Sequence, residues 1–353
     1  MPSSFDDALA SLRPVDSTAA ESARVHHDRL TKPQGALGRL EAAGIQLAAI
    51  ARTSPPPVPE PAAVAVFAGD HGVLKQGVSP WPAEVTTQMV LNFVGGGAAV
   101  NVLARHVGAE VLVVDVGVAS DLPEAPGLIR AKVRPGTADL AVEAAMTTDE
   151  ARRALDVGAT VAADLVAGGV RCLLTGDMGI GNTTPSAALI AALTGRTAAE
   201  VTGRGTGIDD DRLALKVSVV ERALERLGTG AEPLETLASV GGLEIAALAG
   251  YIVGGAAAGV PVLLDGVIAA AAALVAVALA PDAAGYLVAG HRSTEPGATA
   301  ALDQLGLTPL VDLDLRLGEG SGACLALPLL QASAKIIGEM ATFGDAGVSD
   351  AHD

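Results

Sequence analysis

Residues 175–188 read TGDMGIGNTTPSAA. Gly176, four residues, Gly181, then Asn182 and Thr183 fall one lysine short of the phosphate-cradling loop GxxxxGK followed by Ser or Thr. Gly176, Gly179 and Gly181 let a backbone approach a ligand closely, and a helix opening near Pro185 would aim free N–H groups and a positive dipole end at an anion. Without the lysine, a triphosphate and its Mg²⁺ would be poorly neutralised, so the loop suits a phosphate monoester. A plain strand-to-helix turn capped by Thr183 or Thr184 is the alternative. A second glycine loop, GRGTGIDDDRLALK (203–216), ends in acids that open a helix. Asp209–Asp211 could hold a metal, or serve the macrodipole and cap of that helix. Lys216, one to two turns inside, could turn inward and supply the charge that Asn182 lacks.

Proton-transfer candidates are few. RLGEGSGACLALPLL (316–330) sets Glu319 between Gly318 and Gly320, just before an apolar helix. A carboxylate on so uncrowded a turn is how a general base is presented; equally, Ser321 could cap the helix and Glu319 favour its N-terminus. In GDHGV, Asp70 and His71 could be catalytic or could organise a loop. AGHRSTEPG (289–297) offers His291, Arg292 and Ser293, the last a possible phosphate donor, before a helix start with Thr294 as cap and Pro296 just inside. In the helix after GVSPWP, Gln88, Met89 and Phe93 suit a flat heteroaromatic, or form a core stripe. The 6 histidines show no HxxxH or HExxH spacing, so no metal site is expected.

Residues 1–50 read as helical, and RTSPPPVPEP (52–61) as a stiff connector that is neither helix nor central strand. Beyond it, apolar β-type runs end in polar or glycine-rich turns: AAVAVFA into GDHGV (62–73), EVLVVDVGV (110–118), VRCLLTGDMGIGNTT (170–184), VPVLLDG (260–266), GYLVAGHRST (285–294) and TPLVDLDLRLGEGSG (308–322). Runs apolar on both faces and alternating with helices predict a doubly wound α/β domain with a mainly parallel sheet of about six strands. Ligands bind outside the carboxyl ends of such strands. Asp70, His71, Asp115, Asp177 to Thr184, Asp265, His291 to Glu295 and Gly318 to Gly322 should therefore gather on one edge.

Composition bounds the rest. Half of the 353 residues are hydrophobic but only 2% are aromatic, with 42 glycines, so Ala, Val, Leu and Ile must build a closely packed core. A net charge of −17 repels nucleic acid and anionic membrane. The uncharged stretch 245–264 is long enough to cross a bilayer. However, it is mostly Gly and Ala, contains Pro261 and lacks positive flanks, so it reads as a buried helix plus strand. Cys172 and Cys324 read as small core residues, and the N-terminus lacks the regions of a signal peptide, which points to the cytoplasm.

LTKPQGALGRLE (30–41), AGDHGV (68–73), EVTTQMVLNFVGGGAAVNVLAR (84–105), TGDMGIGNTTPSAA, GRGTGIDD, GHRSTEPG and LDLRLGEGSGA together resemble one family, the nicotinate-nucleotide–dimethylbenzimidazole phosphoribosyltransferases. The segments span residues 30–340 or so, in the family's order. The resemblance implies transfer of phosphoribose from nicotinate mononucleotide to 5,6-dimethylbenzimidazole, giving α-ribazole 5′-phosphate and nicotinate with anomeric inversion, and needing no cofactor. It implies a homodimer, with a large α/β domain (about 60–320) and a small helical domain from residues 1–51 and about 321–353. By position Glu319 resembles the catalytic base. Asp177 stands where many relatives carry Glu, one methylene longer, and ranks below it. Gly179, Ile180, Gly181, Asn182, Lys216 and Ser293 match or adjoin the phosphate contacts, and Ser79, Gln88, Met178 and Leu317 the benzimidazole pocket. A phosphoribosyltransferase using a pyrophosphate-sugar donor and a non-catalytic nucleotide or benzimidazole binder remain as rivals.

Overall fold

The computed structural model describes residues 4–349; MPS at the start and DAHD at the end, both inside the expected small domain, lie outside them. Six strands form one sheet: β1 (Ala62–Gly69), β2 (Ala109–Gly117), β3 (Leu128–Arg130), β4 (Cys172–Met178), β5 (Val262–Leu264) and β6 (Leu287–Ala289). Their order is β3-β2-β1-β4-β5-β6 and every pairing is parallel. The order reverses direction between β1 and β4, which opens a crevice at their carboxyl ends. The turns after those two strands are His71 and the glycine loop of β4.

The core follows from the composition. All eight residues of β1 are buried, and helices cover both faces. On one side, Thr148–Ala167 and Leu243–Ala257 pack so closely that a Cβ on Gly158 would lie 1.8 Å from the Ala247 carbonyl oxygen, and one on Gly250 2.0 Å from that of Leu155. Glycine and alanine thus replace aromatic bulk by letting helix backbones approach. The stretch 245–264 divides into part of that helix and β5, inside the core. Two helical stretches, Glu84–Val107 and Ser321–Glu339, are long and apolar enough to cross a bilayer. The first is broken at 95–98, and the second buries Leu327 and Leu330 in the core cluster beneath the sheet.

One expected strand is absent among the described residues. The run 308–322 meets the sheet only at its edge: Leu310 N donates to Ala289 O of β6 at 3.0 Å, and a single bridge pairs His291 with Val311. Asp314 there takes φ 55°, and Gly318 and Gly320 beyond it are left-handed, which ends any ladder. The sixth strand is instead β3, three residues on the edge of β2. Near the N-terminus, Ser17–Arg29 and Arg39–Ala51 pack on each other, and Arg39–Ala51 packs on Ser321–Glu339. Phe5–Ser11 lies apart from them, on Thr148–Ala167 and Leu243–Ala257.

Candidate active site

The turn after β4 forms a small recess of about 50 Å³, lined by Gly179, Ile180, Gly181, Asn182, Thr183, Lys216, Ser79 and the loop 204–208. Gly179 must be glycine: a Cβ there would lie 2.4 Å from the Gly69 carbonyl oxygen. Gly181 takes φ 90°. The helix Thr183–Thr194 follows, and its N-cap is Asn182 rather than either threonine. The N–H of Asn182 donates to the Gly179 oxygen at 3.0 Å, and that of Ile180 to Thr86 Oγ1 at 3.1 Å. The N–H groups of Gly181 and Thr183 have no acceptor among the described residues, as a turn built to receive an anion requires.

Lys216 does turn inward. Its Nζ donates to Thr183 Oγ1 at 2.8 Å and to the Gly203 carbonyl at 3.0 Å, with the residue 2% exposed. Burial brings its pKa down to about 8, although the Glu295 carboxylate works in the other direction. The acids read as possible metal ligands serve the helix Asp210–Leu227 instead: Asp209 caps it by accepting from Arg212 N at 2.9 Å, and Asp210 pairs with Arg204. Glu295, not Thr294, is the N-cap residue of Pro296–Leu305, and its carboxylate accepts from Gly205 N at 2.8 Å. Ser293 lies beside it, its Oγ accepting from Glu295 N at 3.4 Å.

Next to the recess stands a cluster of buried acids. Asn182 Nδ2 donates to Asp177 Oδ2 at 2.9 Å, so this amide serves the neighbouring carboxyl. Burial pushes Asp177 well above the ordinary carboxylate range, followed in effect by the Asp265 charge; the hydrogen bond from Asn182 opposes, and Glu244 and Glu319 add to the rise. A Cβ on Gly318 would stand 3.5 Å from either Asp177 oxygen, which brings the Glu319 turn against Asp177. Glu319 is buried, with Oε2 accepting from Val100 N at 3.4 Å. Burial raises its pKa, the Val100 N–H lowers it, and Asp265 raises it further. Ser321 does not cap the following helix; its Oγ donates to the Gly318 oxygen, and Gly320 is the N-cap.

The remaining candidates divide. Asp70 organises a loop by accepting from Ala119 N at 2.7 Å. His71 Nε2 lies 2.8 Å from Glu244 Oε1, both side chains fully buried. Burial works against the imidazolium, but Glu244 and then Asp70 outweigh it and hold His71 above its usual range. Sequence reasoning passed over Glu244, although it is the one acid in the apolar stretch 236–264. Met178 ends β4 in the core, as does Phe93 in its helix. Gln88 is exposed on the helix Glu84–Val94, whose Thr86 meets Ile180, and Leu317 is exposed two residues before Glu319. No hydrogen bond ties Gln88 or Leu317 to the others among the described residues.

Comparison with known proteins identifies the family of the chain. A family model described as phosphoribosyltransferase matches residues 12–348. The nicotinate-nucleotide–dimethylbenzimidazole phosphoribosyltransferase of Salinispora tropica is 58% identical, covering 98% of this chain and 99% of its own. That of Chloroflexus aggregans is 56% identical over 96% of both chains. The crystal structure of CobT from Thermus thermophilus superposes with a TM-score of 0.92 at 52% identity, over 94% of this chain and 99% of that one.

Proposed function

The chain belongs to the nicotinate-nucleotide–dimethylbenzimidazole phosphoribosyltransferase family, pentosyltransferases of cobalamin assembly, and we propose that Glu319 is the general base of its transfer reaction. One observation carries the reading: an ammonium-lined recess at the glycine turn and a buried carboxylate on a left-handed turn are joined through Asn182, Asp177 and Gly318.

The 5′-phosphate of nicotinate mononucleotide does not react. Lys216 and the N–H groups of Gly181 and Thr183 grip it, and its binding energy positions the ribose. One benzimidazole nitrogen attacks the anomeric carbon while the bond to the pyridinium nitrogen breaks. That electron pair returns to the ring, and nicotinate leaves without needing a proton. The other benzimidazole nitrogen loses its proton to Glu319. Inversion gives α-ribazole 5′-phosphate. A glycosidase needs a second carboxyl to protonate its leaving oxygen; here one suffices. Incubation with nicotinate mononucleotide and dimethylbenzimidazole tests the reading: release of nicotinate with formation of the α-nucleotide supports it, and release only with a pyrophosphate-sugar donor overturns it.

The proposal extends to a cytoplasmic homodimer. Trp81, Leu91 and Val102, on or beside Glu84–Val94 and Ala99–Val107, are large exposed apolar side chains, which a second copy would cover. Sedimentation at twice the chain mass supports this, and a monomer at micromolar concentration overturns it.

A further inference from the structure

Glu319 adopts a backbone conformation that L side chains seldom take. Its φ is 66°, and its neighbours Gly318 and Gly320 are at 84° and 101°, so three consecutive residues are left-handed. Only glycine accepts such angles readily, so something outside the turn must hold the glutamate there. The helix that follows, Ser321–Glu339, has no cap of its own, because Gly320 has no side chain.

Asp265, directly after β5, answers both needs. It is 3% exposed. Its Oδ2 accepts from Gly320 N at 3.1 Å, and its Oδ1 from Gly322 N at 2.7 Å and Ala323 N at 3.1 Å. One carboxylate thus ties down the residue after Glu319 and the first turn of the helix. Asp265 is itself anchored: its N–H donates to Thr175 Oγ1 at 2.9 Å, on β4. From the loop after β6, His291 Nε2 stands 3.5 Å from Asp265 Oδ1. The His291 ring presses so closely on Gly322 that a Cβ there would lie 1.9 Å from Cδ2. Thr175 of β4 and the residues that follow β5 and β6 therefore converge on one turn, which presents one carboxylate.

We infer that Asp265 is a positioning residue for Glu319, holding its turn in the left-handed geometry that aims the carboxylate at the acceptor. This rests on the reading of Glu319 as the base. Asp265 touches backbone N–H groups of the turn and acts through them.

Steady-state kinetics on Asp265→Asn, Glu319→Gln and the double variant test it, with thermal melts on each to establish folding. An amide in place of the carboxylate cannot accept all three N–H groups. Asp265→Asn should lower kcat by about 10²-fold, as a misplaced catalytic group does, with KM for nicotinate mononucleotide within about threefold. In the Glu319→Gln background the same substitution should change kcat little, because both act through one group. If Asp265→Asn does not fold, Thr175→Val takes its place; loss of the Asp265 anchor should lower kcat about tenfold at constant KM. The inference is overturned by full kcat in the foldable variant, by a rise in KM alone, or by equal losses in both backgrounds. Wild-type turnover in Glu319→Gln alone would instead remove the base assignment, which separates the two failures.

Discussion

Replacing Lys216 by methionine separates two roles that the wild-type side chain combines. The methionine keeps the length and loses the charge. Burial lowers the pKa of Lys216 from 10.5 to about 8, a difference equivalent to about 3 kcal/mol. The sign follows from proton binding: between pH 8 and 10.5 the unfolded chain keeps the proton that the folded chain releases. Stability from this group is therefore complete only above 10.5 and is lost as pH falls through about 8. At pH 7 the wild type carries the full penalty of a desolvated ammonium, and the methionine does not. Against that, the variant loses the hydrogen bonds to Thr183 Oγ1 and Gly203 O, each worth about 1 kcal/mol. The balance is a stabilisation of about 1 kcal/mol at pH 7, a rise of roughly 1–2 °C in Tm for a chain this size, shrinking toward pH 10. Function should move the other way. A charge-assisted hydrogen bond to phosphate is worth about 1.5–3 kcal/mol, so KM for nicotinate mononucleotide should rise about 10–10²-fold. Melts across pH and initial rates across nucleotide concentration read both. A variant less stable at pH 7 with unchanged KM would make Lys216 a strut between two loops, and the phosphate assignment would fall.

Glu319→Gln should retain nucleotide binding by calorimetry and lose about 10²–10⁴-fold in kcat. Because the base must be ionised and its pKa is raised, wild-type kcat should climb with pH through a value above 4.5, a limb that the variant lacks. Asp177→Asn should behave differently: burial pushes this carboxyl well above its range, toward the neutral form, and an amide preserves its shape and the bond from Asn182. Its kcat is expected within about threefold of wild type, and a hundredfold loss would show that Asp177 works as an anion. Treatment with EDTA should leave turnover unchanged, since the departing nicotinate develops no charge that needs a cation. Restoration of lost activity by Mg²⁺ would contradict this.

Legibility in the sequence followed the range of the interaction that fixes each feature. Local patterns were readable: apolar runs closed by glycine turns gave the sheet class, and Glu319 between two glycines could be singled out because its signal lies within three residues. Cap positions slipped by one, to Asn182, Glu295 and Gly320, because neighbouring polar residues compete for the same backbone N–H groups. Strand β3 escaped because three residues carry no period, and 308–322 misled because an extended apolar run looks the same paired or unpaired. Contacts between distant segments left no local trace. Nothing near Asn182 announces that its amide turns to Asp177, and nothing near His71 points to Glu244. Lys216 was legible only as a possibility, since its inward turn depends on Thr183 and Gly203.

The arrangement of charge explains why a chain so acidic builds an anion site at all. Nicotinate mononucleotide carries its phosphate at one end and a pyridinium at the other, so it has opposite needs a few ångströms apart. On the proposed reading, the recess meets the first with a single desolvated ammonium and backbone N–H groups that have no acceptor among the described residues and carry no net charge. The acid cluster meets the second. Asp177, Asp265 and Glu319 cannot all be ionised at such close quarters. Burial pushes both Asp177 and Asp265 above the ordinary carboxylate range; at Asp265, His291 and three backbone donors oppose the rise, whereas at Asp177 the hydrogen bond from Asn182 opposes it and three nearby acids add to it. On the proposed reading, Glu319 is the anion that faces the reacting carbon. As the glycosidic bond lengthens, positive charge leaves the pyridinium and appears on the ribose, where a carboxylate in a water-poor site stabilises it more strongly than solvent would. In the proposed reaction the same carboxylate takes the acceptor's proton only as the new bond forms, so its charge is present while the cation develops and is quenched once that bond is complete.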